Sequence, residues 1–378
     1  MQEMMQTPAR RPVPWLTKTM ASAILSTKEV AMINDRIRSA RLLRGLSLDE
    51  LAARLGDISK QGLSKFEKGH AKPNMARLIQ LAHVLEVKPE YFFRGEEGAA
   101  TFTLIGPARW SKPHQAQIVE QLREQLERYN ALEQWFAVQD ERAAPPPAQS
   151  ILVSAADEVE QAAATLRDDW RLGSDTIFGL LDLLDLHGIK VALLRAPDSL
   201  EGTMASVNDG EQVVLALNAG DSAAALRCFA MREVGRWLLE LPTTMSPRQR
   251  EVAYEQFAQA FLYPKSQVHA DFGAQRRSRV HAQELRLAMQ RYGLSAAAVV
   301  DRLKTLGLLS SAALKYAVTA AQNLDAQALD TRPAERPSRF ESLVYRGLAE
   351  GLYTASRAAE LLQVSLTDLA SFSGKVSA

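Results

Sequence analysis

Apolar residues at Ile33, Ile37, Ala40 and Leu43 recur three or four positions apart and stop at Gly45, which is the period of one buried helix face. Ser47-Leu-Asp-Glu50 has the form of a capping box and opens a helix through Leu55 that stops at Gly56. Ser59 opens another that runs to Lys68 and stops at Gly69, and Pro73-Asn74 opens a fourth over residues 75–85. Residues 88–93 predict one last short turn of helix. Five short helices in close succession are expected between residues 32 and 94.

The pattern then changes. Residues 95–110 lose helical periodicity, and 101–105 read as a short strand or an extended connector. Over residues 115–138 the apolar positions Ile118, Leu122, Leu126, Tyr129, Leu132 and Phe136 lie near a 3.5-residue spacing. That predicts one long helix, either a dimerisation or spacer helix or one packed on its own domain. A Pro-rich linker follows at 143–148. Beyond it, helices are predicted over 155–170 and 174–187, strands over 190–194 and 211–217 with the turn signal Asn208-Asp-Gly210, then helices over 223–241, 250–263, 284–292, 295–306 and 310–321. A second linker over 325–337 carries Pro333 and Pro337, and 340–372 reads as two or three small helices. The expected organisation is a mobile tail (1–31), a five-helix domain (32–94), a connector with the long helix and Pro-rich linker (95–148), an α+β domain with a small sheet (149–324), and a linker with a C-terminal helical unit (325–378). The fold class is mainly α.

Composition narrows the classes. A 378-residue chain, 47% hydrophobic and 24% charged, is ordinary for a globular protein of two or three domains. No apolar run reaches the roughly eighteen residues a membrane span needs, and Arg10 and Arg11 are followed by no apolar stretch of a secretory signal. Cys228 is the single cysteine, so no intrachain disulfide forms, which fits a reducing cytoplasm and a structural thiol on an apolar helix. The net charge of +1 hides a local surplus: Arg36, Arg38, Arg41, Arg44, Arg54, Lys60, Lys65, Lys68 and Lys72 outnumber Asp35, Asp49, Glu50, Asp57 and Glu67. Such a surplus serves phosphate binding.

The block Arg36–Arg41, Leu48–Gly56, Ser59–Gly69 and Pro73, with Ala52, Gly56 and Leu63 where close packing wants small or apolar groups, resembles the Xre family of lambda-repressor-like helix-turn-helix domains over about residues 33–93. The resemblance implies that the helix opened by Ser59 enters the major groove of duplex DNA by its N-terminal end. The base-reading residues would be Ser59, Lys60, Gln61 and Ser64: Gln61 can take an adenine edge bidentately, Lys60 guanine O6 and N7, and Ser64 a base or a phosphate. Arg38, Lys65 and Lys68 are expected on phosphates.

Within 223–241, Arg232-Glu233-Val234-Gly235-Arg236 has the spacing of a zincin helix, H-E-x-x-H, with Arg at both His positions. A guanidinium is a donor only and cannot ligate a metal. In order along the chain, 157–170, 188–194, 213–218, this helix and Glu251–Pro264 are similar to the ImmA/IrrE family of zinc peptidases, a resemblance that covers about 157–318. The family likeness implies a third zinc ligand at Glu251 and a general base at Glu233, so with Arg232 and Arg236 in place it implies a pseudopeptidase without metal or cofactor. The two Arg residues either pair with Glu251 or Glu255 where a metal charge once stood, or form an anion-binding or sensor site.

The resulting expectation is a cytoplasmic, non-enzymatic transcription repressor. It binds a palindromic double-stranded operator as a homodimer, and its central domain senses a small anionic ligand or assembles with a protein partner. The alternatives are an antitoxin that neutralises a partner toxin and autoregulates its operon, and a working metallopeptidase that cleaves a repressor. The C-terminal unit looks like the tail of longer Xre–peptidase fusions, and residues 358–365 like half a helix-turn-helix.

Overall fold

A computed structural model describes residues 27–93, 100–106, 110–136, 150–155, 158–195, 200–327 and 335–374. The tail over 1–26 and the Pro-rich linker at 143–148 lie outside the described residues, as does much of the second linker. The chain divides into two compact units at Glu97/Gly98.

In the first unit the capping signals set the elements. Helix α1 spans Thr27–Leu43, beginning inside the stretch read as a tail. Helix α2, Leu48–Leu55, has the full capping box at Ser47 and Glu50 and ends at Gly56 with φ 77°, a left-handed conformation that glycine adopts without Cβ strain. Helix α3, Lys60–Glu67, is capped by the Ser59 hydroxyl, and α4, Met75–Val84, by Asn74. A 3-10 turn over Pro89–Phe93 closes the unit. Ile37, Leu51, Leu63, Leu81, Leu85 and Phe92 form its buried core.

The second unit is a four-stranded sheet covered by helices on both faces. Its order is β1 (Phe102–Ile105), β4 (Gly202–Val207), β5 (Gln212–Asn218), β3 (Ile189–Leu194). β3 runs parallel to β5, whereas β4 is antiparallel to both β5 and β1. The run Val213-Val-Leu-Ala-Leu217 is apolar throughout because both sheet faces are buried. Val213, Leu215 and Leu217 meet one helical layer, while Val214 and Ala216 meet the other. The first layer includes α6 (Val159–Asp169), α7 (Leu180–Leu186), α8 (Ala223–Leu238) and α9 (Pro247–Leu262), with Met231 and Val234 of α8 in its core. The other is α5, Lys112–Phe136, whose Ile118, Leu122 and Leu126 pack on Ala192, Leu194, Ala205, Val207, Val214 and Ala216.

Stretch 95–148, read as a connector, thus contributes an edge strand and a covering helix to the second unit. All six apolar positions on α5 named above are buried, so the helix is packed on its own unit. Its far end, through Leu132 and Phe136, meets α14 (Arg339–Ala349), α15 (Ala355–Leu362) and α16 (Leu366–Gly374). Helices α10 (Lys265–Phe272), α11 (Ala282–Tyr292), α12 (Ala296–Thr305) and α13 (Ser311–Gln327) complete the order. Several features differ from expectation. Strand β4 and helix α10 were not anticipated; nor was the two-residue parallel pair of β2 (Ile151–Leu152) with β6 (Leu239–Glu240). Helix α7 starts at Leu180, because residues 173–175 are held in a loop by Arg167, which donates to the carbonyls of Gly173 and Asp175. Among the described residues no helix is long and apolar enough to cross a membrane.

Candidate functional site

Two places carry chemistry. In the first unit the N-terminal end of α3 is turned to solvent: Ser59, Lys60, Gln61, Lys65 and Lys68 are exposed and Ser64 is half-buried, while Leu63 points into the core. The Ser59 hydroxyl accepts from the Gly62 amide at 3.2 Å, so its oxygen is already engaged as a cap. Lys60 Nζ meets Asp49 at 2.6 Å, with both side chains more than half exposed. Such a pair holds little free energy in water and yields readily to a phosphate or a base edge. Arg38 on α1 is exposed.

The basic surplus of this unit is smaller at the surface than its composition indicates. Arg41 is buried and pairs with Glu67 through two bonds, Nε–Oε1 at 2.6 Å and Nη2–Oε2 at 2.8 Å, while Nη1 donates to the Leu46 carbonyl. It fastens α3 to α1. Arg36 is buried over the Tyr91 ring, and Arg44 donates to the carbonyls of Leu85 and Glu86. These three guanidiniums are engaged with the unit's own groups and hold its helices in position.

In the second unit Arg232 and Arg236 sit one turn apart on α8, with Glu233 between them and Glu251 on α9 opposite. Arg236 makes the central contacts. Its Nη1 and Nη2 take Glu251 Oε1 and Oε2 at 2.7 and 2.8 Å, a bidentate fork, and its Nε donates to Glu233 Oε2 at 3.0 Å. Arg232 donates from Nε to Glu233 Oε1 at 3.2 Å and reaches Glu201 at 2.8 Å. The guanidiniums also lie over rings, Arg236 over Tyr254 and Arg232 over Phe229. Burial acts to lower the Arg236 pKa, but its bonds to Glu251 and Glu233 and their charges outweigh burial and hold it above its ordinary value. It stays charged.

Two glycines set how closely the parts approach. A Cβ on Gly235 would lie 2.7 Å from Phe257 Cδ1, so the absence of a side chain lets α8 and α9 close up and brings Glu251 to Arg236. A Cβ on Gly202 would lie 3.3 Å from Glu233 Cγ, so the absence of a side chain there lets Glu233 lie close against β4. Of the two expected partners, Glu251 is taken and Glu255 is exposed. Glu201 was not anticipated: it sits 31 positions before Arg232, ahead of a strand with no recognisable alternation. Burial pushes the Cys228 thiol up to about 11, in keeping with a structural cysteine.

The four helices, three of them capped by Ser47, Ser59 and Asn74, and the closing turn define a helix-turn-helix domain, with α3 as its second motif helix. Residues 37–92 match the family model for HTH_3, helix-turn-helix. Over 69 residues the chain is 38% identical to an HTH-type transcriptional regulator of Rickettsia prowazekii, and 38% identical to another of Rickettsia conorii. Over 64 residues it is 33% identical to the SPbeta prophage-derived HTH-type transcriptional regulator YonR of Bacillus subtilis. These matches cover 17–18% of this chain and 52–58% of the relatives, so the chain spans about half the length of the curated relatives it matches. No solved structure matches.

Proposed function

We propose that this protein is a sequence-specific DNA-binding repressor of transcription that acts as a dimer. The observation that carries the reading is the exposed N-terminal end of α3 in a domain matched by helix-turn-helix regulators. Gln61 is the principal base reader, because it is exposed, and its amide presents the donor and acceptor an adenine edge requires. Lys60 joins it after leaving Asp49, and Lys65, Lys68 and Arg38 take phosphates. Two copies are needed because one such module covers too little DNA for a tight specific site, and a two-fold pair reads a palindrome.

The second unit, in this reading, is a peptidase-like core that serves sensing or assembly and carries out no hydrolysis. Support comes from Arg236, whose guanidinium lies between Glu233 and Glu251 and offsets two carboxylates that would otherwise face each other. Both Arg residues are committed to internal carboxylates, which favours charge replacement over an anion-binding fork.

Genomic footprinting would supply the operator. On that duplex Gln61→Ala is expected to lose about 1–3 kcal/mol of specific binding, with non-specific affinity nearly unchanged. Equal losses on operator and random duplex would remove Gln61 as a base reader. Stoichiometric zinc in the purified protein, found by elemental analysis, would overturn the metal-free core.

A further inference from the structure

Between Lys265 and Lys315 the sequence carries nine Lys and Arg against three Asp and Glu. Taken from the totals of 45 and 44, that leaves 36 basic and 41 acidic residues elsewhere, so this one stretch turns an otherwise acidic chain nearly neutral. Packing sorts the nine into two groups. Arg302 is buried and bidentate to Glu160 at 2.6 and 2.7 Å; Arg277 pairs with Glu284 at 2.9 Å; Arg291 pairs with Asp271 at 3.1 Å. Two of the three local acids are thereby used. Lys265, Arg276, Arg279, Arg286, Lys304 and Lys315 remain exposed, with no carboxylate at ion-pair distance among the described residues.

The backbone gathers several of them. The Arg277 amide donates to the Leu308 carbonyl at 2.8 Å and the Ser310 amide to the Arg277 carbonyl at 2.9 Å, a parallel bridge that lays residues 276–278 along 308–310. Arg276 Nε reaches the Leu309 carbonyl at 3.3 Å. Arg276, with Arg279 three residues on, is therefore seated at the connection between α12, whose last turn carries Lys304, and α13, whose second turn begins with Lys315. Cations brought together on a hydrogen-bonded loop, with Asp271 and Glu284 taken up internally and the exposed Asp301 as the one local acid left over, repel one another, a cost that an approaching anion removes.

We propose that the loop 273–281 and the adjoining ends of α12 and α13 form a second contact surface for the phosphate backbone of duplex DNA, in addition to α3. The inference rests on the DNA-binding reading above. A polyanion fits this arrangement because the charges are spread over three segments, and backbone contacts need charge and spacing with no shaped pocket.

The test measures binding of the full chain to a random-sequence duplex of forty base pairs by fluorescence anisotropy, over a series of salt concentrations. The logarithm of affinity falls with the logarithm of salt by about 0.9 for each phosphate neutralised. The triple variant Arg276→Gln, Arg279→Gln, Lys304→Gln is expected to lower that slope by about 2 to 3, while Arg276→Lys with Arg279→Lys keeps it. A pair in the first unit, Lys65→Gln with Lys68→Gln, is measured alongside. If that pair lowers the slope and the triple variant does not, the second surface is overturned and the DNA-binding reading stands. The second surface is likewise overturned if the triple variant weakens binding at an unchanged slope, or binds an acidic protein less well while its DNA binding is intact. If the unmodified chain binds no duplex, the DNA-binding reading falls and the second surface falls with it. Melting temperatures of all variants close to that of the parent confirm that folding is intact.

Discussion

Arg236 is held by carboxylates on two sides, and that arrangement decides what its loss would do. Glu233 is almost wholly buried, with 3% of its side chain exposed, and its Oε2 accepts from Arg236 Nε. Without the guanidinium, Glu233 would keep only its 3.2 Å bond from Arg232, which Glu201 also shares, and would face Glu251 with no cation between them. Breaking a buried pair by removing one partner costs about 3–5 kcal/mol, mostly the penalty of the charge left behind. Arg236→Ala is expected to destabilise the second unit by that amount in urea unfolding. Arg236→Lys should recover only part, since an ammonium cannot hold Glu251 through two parallel bonds while also reaching Glu233. Replacing all three, Arg236→Met with Glu233→Gln and Glu251→Gln, should return much of the loss. An Arg236→Ala protein as stable as the parent would show that the cluster does not hold the core together. At this scale the sequence was informative in one direction. The motif spacing placed both Arg residues on one face because helical periodicity is local, whereas Glu251, with Glu255 as the alternative, came as a partner only through the family likeness. Glu201 escaped, because the loop ahead of β4 is brought to α8 by the sheet.

The long helix α5 ties three elements together, and the turn of Tyr129, in its C-terminal half, is where a proton matters. Tyr129 donates its hydroxyl hydrogen to Asp185 at the end of α7, Lys190 on β3 lies over the Tyr129 ring and pairs with Glu133 at 2.5 Å, and Phe340 of α14 stacks on Tyr129. Burial raises the Asp185 pKa above its ordinary value, against the smaller opposing effects of the Tyr129 bond and Lys190. A carboxyl whose folded pKa is raised binds more protons in the folded state, so its contribution to stability falls as pH rises from the unfolded to the folded value. Tyr129→Phe removes the donor that makes the ionised form tolerable and should cost about 1–3 kcal/mol at neutral pH. That cost should shrink as the pH is lowered and Asp185 takes up a proton in both states. Thermal melts from neutral to mildly acid pH check this; a cost that is constant or grows in acid contradicts it. The elements themselves were unevenly legible. Ser47 with Glu50, Ser59 and Asn74 announced α2, α3 and α4 because caps and glycine stops are local hydrogen-bonding and backbone effects. Strand β4, Gly-Thr-Met-Ala-Ser-Val, did not announce itself. It is a central strand buried on both faces, and small residues stand where β5 and Glu233 crowd it, so no alternation develops.

At the scale of the whole chain, each unit has its own buried core, in keeping with the two or three domains that the chain length predicts. The core of the first unit is assembled from Ile37, Leu51, Leu63, Leu81 and Phe92; the second unit is organised on both faces of a sheet, with Leu122 inside one layer. Each of these leucines is fully buried. Truncating one to alanine removes its transfer free energy and leaves a cavity, for about 2–5 kcal/mol. Because no residue is shared between the two cores, the cost should stay with the unit in which it arises. Leu63→Ala is expected to lower amide-exchange protection across α1 to α4 and to leave the sheet strands at parental protection. Leu122→Ala is expected to do the reverse, and to loosen β1 and β4 ahead of α3. The contrast also separates two meanings of lost DNA binding. Leu63→Ala should abolish specific binding by unfolding the reader, whereas Leu122→Ala should leave binding through α3 in place and reduce only what the second unit adds. Protection that falls in both units together after either substitution would mean that the chain unfolds as one cooperative body, and the division of labour between reader and core would have to be redrawn.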